Sequence, residues 1–327
     1  MSHGVSTAKR PRTALQYAAI FHAARAAVLA GLSLAVPSLS FAQEHIALPQ
    51  GDLGQSSFLD GTGGPGLLTH VAASLDDARR FTGPKGQTIP ADNLFVAFVV
   101  AAHLAYLIPI KVLGGYVGLE AIVPVVPYLR VQSPEGTATT SGVGDLTFGP
   151  LVFQLPDLTL LGRPFSSRFS ADITAPTGRY GSTAIVNVSN HIWSVDPYYA
   201  FTWLLTDKLE TSVRLHYSWN STNSDPGAGY EATTIQPGQS FHMNAGASYP
   251  VVPLLRAGVA GYLLQQTTDA RANGEPVAGS RERVAALGLG LMVIVAGAQI
   301  LATAYREFAA ENRPSGSVFL LSVLRPW

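Results

Sequence analysis

From Leu209 to Asn220 the chain reads LETSVRLHYSWN. Leu209, Thr211, Val213, Leu215, Tyr217 and Trp219 stand on one row. Glu210, Ser212, Arg214, His216, Ser218 and Asn220 stand on the other. Successive side chains of an extended strand point to opposite faces, so a period of two makes one apolar and one polar face. A helix would mix the two rows.

The pattern recurs. Phe165, Phe169, Ala171 and Ile173 oppose Ser166, Arg168, Ser170, Asp172 and Thr174. Trp193, Val195, Tyr199, Phe201 and Trp203 oppose Ser194, Asp196 and Thr202. Phe241, Met243, Ala245, Ala247 and Tyr249 oppose Ser240, His242, Asn244, Gly246 and Ser248. Each run is about ten residues long, the length a tilted strand needs to cross a bilayer. LFVAFVVAAHLAYLIPI and VAALGLGLMVIVAGAQILATAY are apolar enough to be membrane helices, which would make this an inner-membrane protein. Their glycines and internal turn signals instead predict hairpins, the second reversing at Ala296–Gly297 and the first between Pro109 and Gly114.

Strands are expected near residues 66–75, 93–106, 114–125, 142–153, 165–175, 193–204, 209–219, 239–249, 254–266, 284–295, 298–308 and 317–327. Long polar connections, among them AAENRPSG, alternate with short ones, except that QLPDLTLLGR is long where a short turn is due. This is the layout of an outer-membrane barrel. The fold class is therefore all-β, a transmembrane antiparallel up-and-down β-barrel of about 12 strands.

Composition supports a membrane. Only 13% of residues are charged, about half of the roughly 25% of soluble domains. The 21 basic and 21 acidic side chains balance, which gives nucleic acid no basic footprint. Without cysteine there is neither a disulfide nor a thiolate ligand.

At the front, Lys9, Arg10 and Arg12 precede the apolar AAVLAGLSLAVPS and the small residues Ser40 and Ala42. Residues 1–42 read as a signal peptide cut after Ala42. Residues 43–65 read as a periplasmic or plug-like segment, and 66–327 as the barrel. The last residues place Phe319, Leu321 and Val323 at alternate positions before Trp327. Such an ending resembles the signal read by the barrel-assembly machinery, and a closed barrel pairs its last strand with its first.

SSFLDGTGGPG, GVGDLTFGP, DITAPTGRY, NHIWSVDPYYAFTW, GVAGYLLQQTTD, RVAALG and YREFAAENR occur in that order from Ser56 onward. They resemble the family linked to the meta-pathway of phenol degradation, the SphA-like proteins. The resemblance implies an outer-membrane barrel that helps aromatic or other hydrophobic compounds into the cell. HYSWNSTN departs from that family, which more often has an aromatic-polar run without histidine there.

His216 and Ser218 share a face with Glu231 downstream, a spacing like that of barrel deacylases. Glu231 has nothing to orient the histidine, so no catalytic residue and no enzyme is expected. GLGLMV opens no amphipathic helix, so it is no dinucleotide loop. The histidines show no ligand spacing, and neither metal nor cofactor is expected.

The polar rows place Asp145, Arg168, Asp172, Glu210, Arg214, His216, His242 and Asn244 in the lumen as candidates for a solute path. Internal ion pairs that simply fill the barrel are the competing reading. Arg214 in particular is expected to pair with Glu210 or Asp172. The expected function is an outer-membrane channel for passive uptake of small hydrophobic or aromatic, phenol-like compounds in the bacterial outer membrane. Its partners are outer-membrane lipid and a small apolar or aromatic solute. The alternative is a barrel that transports nothing and serves structure or a binding partner.

Overall fold

The computed structural model describes residues 45–49, 51–134 and 136–327. The expected signal peptide, residues 1–42, lies outside the described residues. Twelve long antiparallel strands make the wall: Gly66–Phe81, Leu94–Val112, Gly115–Ser133, Leu146–Gln154, Arg163–Ala175, Ser194–Leu204, Glu210–Asn220, Ser240–Val252, Leu255–Gln266, Arg283–Val295, Ala298–Glu311 and Pro314–Pro326. Each pairs with its neighbours in chain order. The first strand pairs with the second on one side and the last on the other, from Leu68 opposite Pro326 to Phe81 opposite Pro314. The sheet therefore closes and has no free edge. Among the described residues no helix is long and apolar enough to cross a membrane, and both ambiguous apolar stretches are strands.

The outward row is the lipid belt. Leu287, Leu289 and Leu291 are 64%, 72% and 54% exposed. Phe319, Leu321 and Val323 continue the belt on the last strand. Alternate residues between them are buried, such as Ala286, Met292, Val318 and Leu320. One face meets hydrocarbon and the other the interior, which is why a clean period of two was written into these segments.

At one end the turns are tight. Leu113–Gly114, Leu161–Gly162 and Ala296–Gly297 each carry two consecutive positive φ angles, the two-residue turn whose twist matches that of the strands it joins. Both barrel termini lie at this end. At the other end are residues 82–93, 176–193, 221–239 and 267–282, the last two tied by Ile235–Gln236 pairing with Arg271–Ala272.

Several boundaries differ from the sequence expectation. AAENRPSG is a turn of only Asn312 and Arg313. Strands run past the apolar belt there, and polar residues carry the ladder where water replaces lipid. The long connection QLPDLTLLGR contains Leu158–Leu160, which folds back on Arg163–Phe165. Gly136–Val143 forms a further strand on the outer half of Gly115–Ser133, ahead of Leu146–Gln154 on its inner half. Trp327 sits just beyond the last strand. Its N–H donates to the Leu67 carbonyl at 2.8 Å, and its indole donates to Thr69 Oγ1 at 3.0 Å.

Candidate functional site

The segment before the first strand lies against the inward face of the wall, and polar side chains hold it there. Gly54 N donates to Asn244 Oδ1 at 2.7 Å, and Asn244 Nδ2 donates to the Asp52 carbonyl at 3.0 Å. Tyr305 Oη donates to the Gly54 carbonyl at 2.9 Å. A Cβ on Gly54 would stand 2.9 Å from the Tyr305 ring, and its φ is +74°, so glycine is required on both counts. Gln154 Nε2 donates to the Gly61 carbonyl at 3.0 Å, while Gly61 N donates to Thr202 Oγ1 at 2.8 Å. Phe58 fills a notch made by three glycines of the wall. Cβ atoms on Gly246, Gly258 and Gly290 would approach its ring to 3.1, 2.8 and 2.8 Å.

Two aspartates of this segment meet the wall's cations. Arg214 donates from Nε and Nη2 to the two oxygens of Asp60, at 2.9 and 2.5 Å. Arg168 lies 3.6 Å from the same carboxylate and donates to the Asp60 carbonyl at 3.0 Å. Arg214 also stacks on the Tyr198 ring, 4.5 Å from its centroid. Burial opposes the charge of Asp60, but Arg214 and Arg168 outweigh it and hold the carboxyl below its ordinary range. Asp52 is half-buried; burial opposes its charge too, and the imidazoles of His216 and His242 outweigh that and hold its carboxyl well below that range.

Register explains the second cluster. His216 and His242 are direct partners on adjacent strands, so their rings stack at 4.0 Å between centroids. Nε2 of His242 lies 2.9 Å from Asp52 Oδ1, and Nε2 of His216 lies 3.4 Å from it. On the far side of the ring, His216 Nδ1 is 3.3 Å from Asp196 Oδ1.

Of the eight residues singled out from sequence, Arg168, Arg214, His216, His242 and Asn244 hold the N-terminal segment. Asp172 accepts from Ser170 Oγ at 3.0 Å. Glu210 accepts from Ser212 Oγ at 2.7 Å and from Ser248 Oγ. Asp145 lies between strands and ties down the loop that follows Ala175: Gly178 N and Ser189 Oγ donate to it at 2.9 and 2.6 Å. Arg214 does not pair with Glu210 or Asp172, because the carboxylates of Asp60 and Asp52 come closer.

Sequence reasoning missed Asp52, Asp60 and Glu120. Glu120 is buried, 2.8 Å from His103 Nε2, and accepts from Ser170 Oγ and Tyr198 Oη at 2.7 and 3.0 Å. It sits inside the apolar run VGLEAIVPVV, where a lone carboxylate on the row shared by Gly118 and Ile122 was the available signal.

A closed antiparallel barrel with an apolar belt outside and a polar interior is a bacterial outer-membrane protein. A family model described as "Putative MetA-pathway of phenol degradation" matches residues 78–323, and the chain belongs to that family. No curated protein sequence matches it. Among solved structures it is similar to an outer membrane channel from Pseudomonas putida F1, with TM-score 0.69 and 19% identity. That match covers 86% of this chain and 100% of the other. The translocator domain of the autotransporter NalP from Neisseria meningitidis has TM-score 0.47 at 11% identity, covering 81% and 90%. The Pseudomonas putida toluene transporter TodX has TM-score 0.41 at 7% identity, covering 81% and 89%.

Proposed function

We propose that the chain is a passive outer-membrane channel for small hydrophobic or aromatic compounds of the phenol type, serving their degradation. The carrying observation is how the N-terminal segment sits in the barrel. Its hydrogen bonds run to wall residues between Gln154 and Tyr305. Opposite them Gln55 closes against Ala72, Ser74, Val99, Ala101 and Leu320, leaving a seam too tight for a water molecule, so a solute would pass there only as the segment shifts. Small and mostly apolar walls suit a solute that sheds water at little cost, whereas an ion entering there would lose its hydration shell.

Twelve strands support a narrow bore, since about eight leave room only for side chains and about sixteen leave an open aqueous channel. Family membership supports the solute class, and the similar fold of an outer membrane channel supports the transport class. On this reading the plug-like segment, residues 43–65, restricts the bore. The polar row including Arg168, Arg214, His216, His242 and Asn244 seats it and so bounds the path. Neither part is catalytic. The Pro314–Pro326 strand, with Trp327, is read by the barrel-assembly machinery.

The dense anchoring of the segment favours a second reading, a barrel that stays closed and serves structure or a partner. Uptake separates the two. A deletion strain supplied with limiting phenol or related monoaromatics should take them up more slowly, and the restored gene should reverse the loss. Equal uptake across the panel would favour the closed barrel.

A further inference from the structure

We propose that Asp52, His216 and His242 bind a divalent transition-metal ion, which fastens the N-terminal segment to the barrel wall.

One ligand atom from each of the three residues lies within 4.8 Å of the other two. In a tetrahedral site with bonds of about 2.0–2.2 Å, neighbouring donor atoms are about 3.3 Å apart. His216 Nε2 and His242 Nε2 lie 3.4 and 2.9 Å from Asp52 Oδ1, and a tilt of the stacked rings, now 14° from parallel, would bring both nitrogens to bear on an ion among them.

Both imidazoles are within ion-pair distance of Asp52 Oδ1, but only one of them is hydrogen-bonded to it. His242 Nε2 has hydrogen-bond contact with Asp52. His216 Nε2 is buried, points into the same space and has no hydrogen-bond partner. A buried ring nitrogen without a partner is costly unless something fills the gap. Its other nitrogen lies 3.3 Å from the Asp196 carboxylate. A carboxylate at Nδ1 favours a proton there, so that Nε2 can give up its own proton and offer its lone pair to an ion, as the outer partner of a metal-bound histidine does.

The two oxygens of Asp52 are divided in the same sense. Oδ1 faces the imidazoles, while Oδ2 lies 3.5 Å from Arg214 Nη1. Two imidazoles and one carboxylate suit zinc, nickel, copper or iron(II) far better than calcium or magnesium, which prefer all-oxygen shells. Three protein ligands leave a fourth position for water. The histidines are 26 residues apart in sequence, which is why linear spacing hid the site; cross-strand register brings them together.

The test uses the untagged full barrel, refolded in detergent and stripped with a chelator. Zn²⁺ is titrated by calorimetry and Co²⁺ by its visible absorption bands. The expected result is one equivalent of each, with the intense bands of low-coordinate Co²⁺. Affinity should fall at least about tenfold in both Asp52→Ala and His242→Ala, and remain unchanged in His191→Ala. Asp52 lies outside the wall strands, so its variant keeps the barrel, as heat-modifiable migration would verify. Absence of stoichiometric binding, or binding that Asp52→Ala and His242→Ala both retain, would overturn the proposal and leave only an ion pair.

Discussion

Arg214 and Asp60 are 154 residues apart in the chain and meet through two side-by-side hydrogen bonds of 2.9 and 2.5 Å. Such a planar two-point contact is the strong form of an arginine–carboxylate pair. It joins a wall strand to a segment that is no part of the wall, so its loss should act on the segment and spare the barrel. Arg214→Ala should leave heat-modifiable folding intact. Removing one partner of a buried pair costs about 3–5 kcal/mol, and Arg168 at 3.6 Å from Asp60 should recover part of it. Protease cleavage between residues 51 and 62 should quicken in this variant. Failure to assemble would show that the strand itself depends on Arg214.

Outward residues should behave in the opposite way. Leu289 is 72% exposed and sits mid-strand, paired with Val259 and Ala304. Leu289→Arg should destabilise the folded barrel by about 2–4 kcal/mol near the bilayer midplane, measured by urea unfolding in lipid vesicles. Leu215→Arg should act in the same direction. Normal folding of both would mean that the faces are reversed.

The Phe58 notch gives a third test. A methyl group on Gly290 would stand 2.8 Å from the Phe58 ring, too close for any carbon contact. Gly290→Ala should displace the ring and loosen the segment. Phe58→Ala should do so by emptying the notch, at about 3–5 kcal/mol for a buried phenylalanine. Hydrogen exchange at residues 53–61 should rise in both variants, while exchange in the wall strands stays slow. Unchanged exchange at those residues would exclude the notch as an anchor.

Acid should release the segment. Burial raises the pKa of Asp60, but Arg214 and Arg168 more than compensate, so its folded value lies below the ordinary 3.8. A depressed carboxyl stabilises the seated state fully above that ordinary value and loses its effect as pH falls through the folded one. Single-channel conductance should be steady from neutral pH down to about 4 and rise below it. In Asp60→Asn it should already be high at neutral pH, with a smaller acid step. An acid step of equal size in the variant would assign the transition to other groups.

The wall was legible because every crossing strand faces two solvents, lipid and interior, and the amino-acid pattern must follow. Glu210–Asn220 and Ser240–Val252 show this most clearly, and their polar row indeed turns inward. The N-terminal segment faces only the interior and has no repeating geometry. Nothing in SSFLDGTGGPG marks Asp60 as the partner of Arg214. The His216–His242 pair was hidden for a related reason, since neither histidine is near the other in sequence and only the strand register joins them. Asp145, one of the lumen candidates, falls between Val143 and Leu146, where two strands meet, and its carboxylate accepts from Gly178 N and Ser189 Oγ of a loop.

The central claim is a channel narrowed by a seated N-terminal segment, and conductance in planar bilayers tests it most directly. The intact barrel should give small, steady single-channel steps, and Arg214→Ala should give steps several-fold larger with the same folded barrel. If neither protein conducts, or both conduct equally, the account is contradicted.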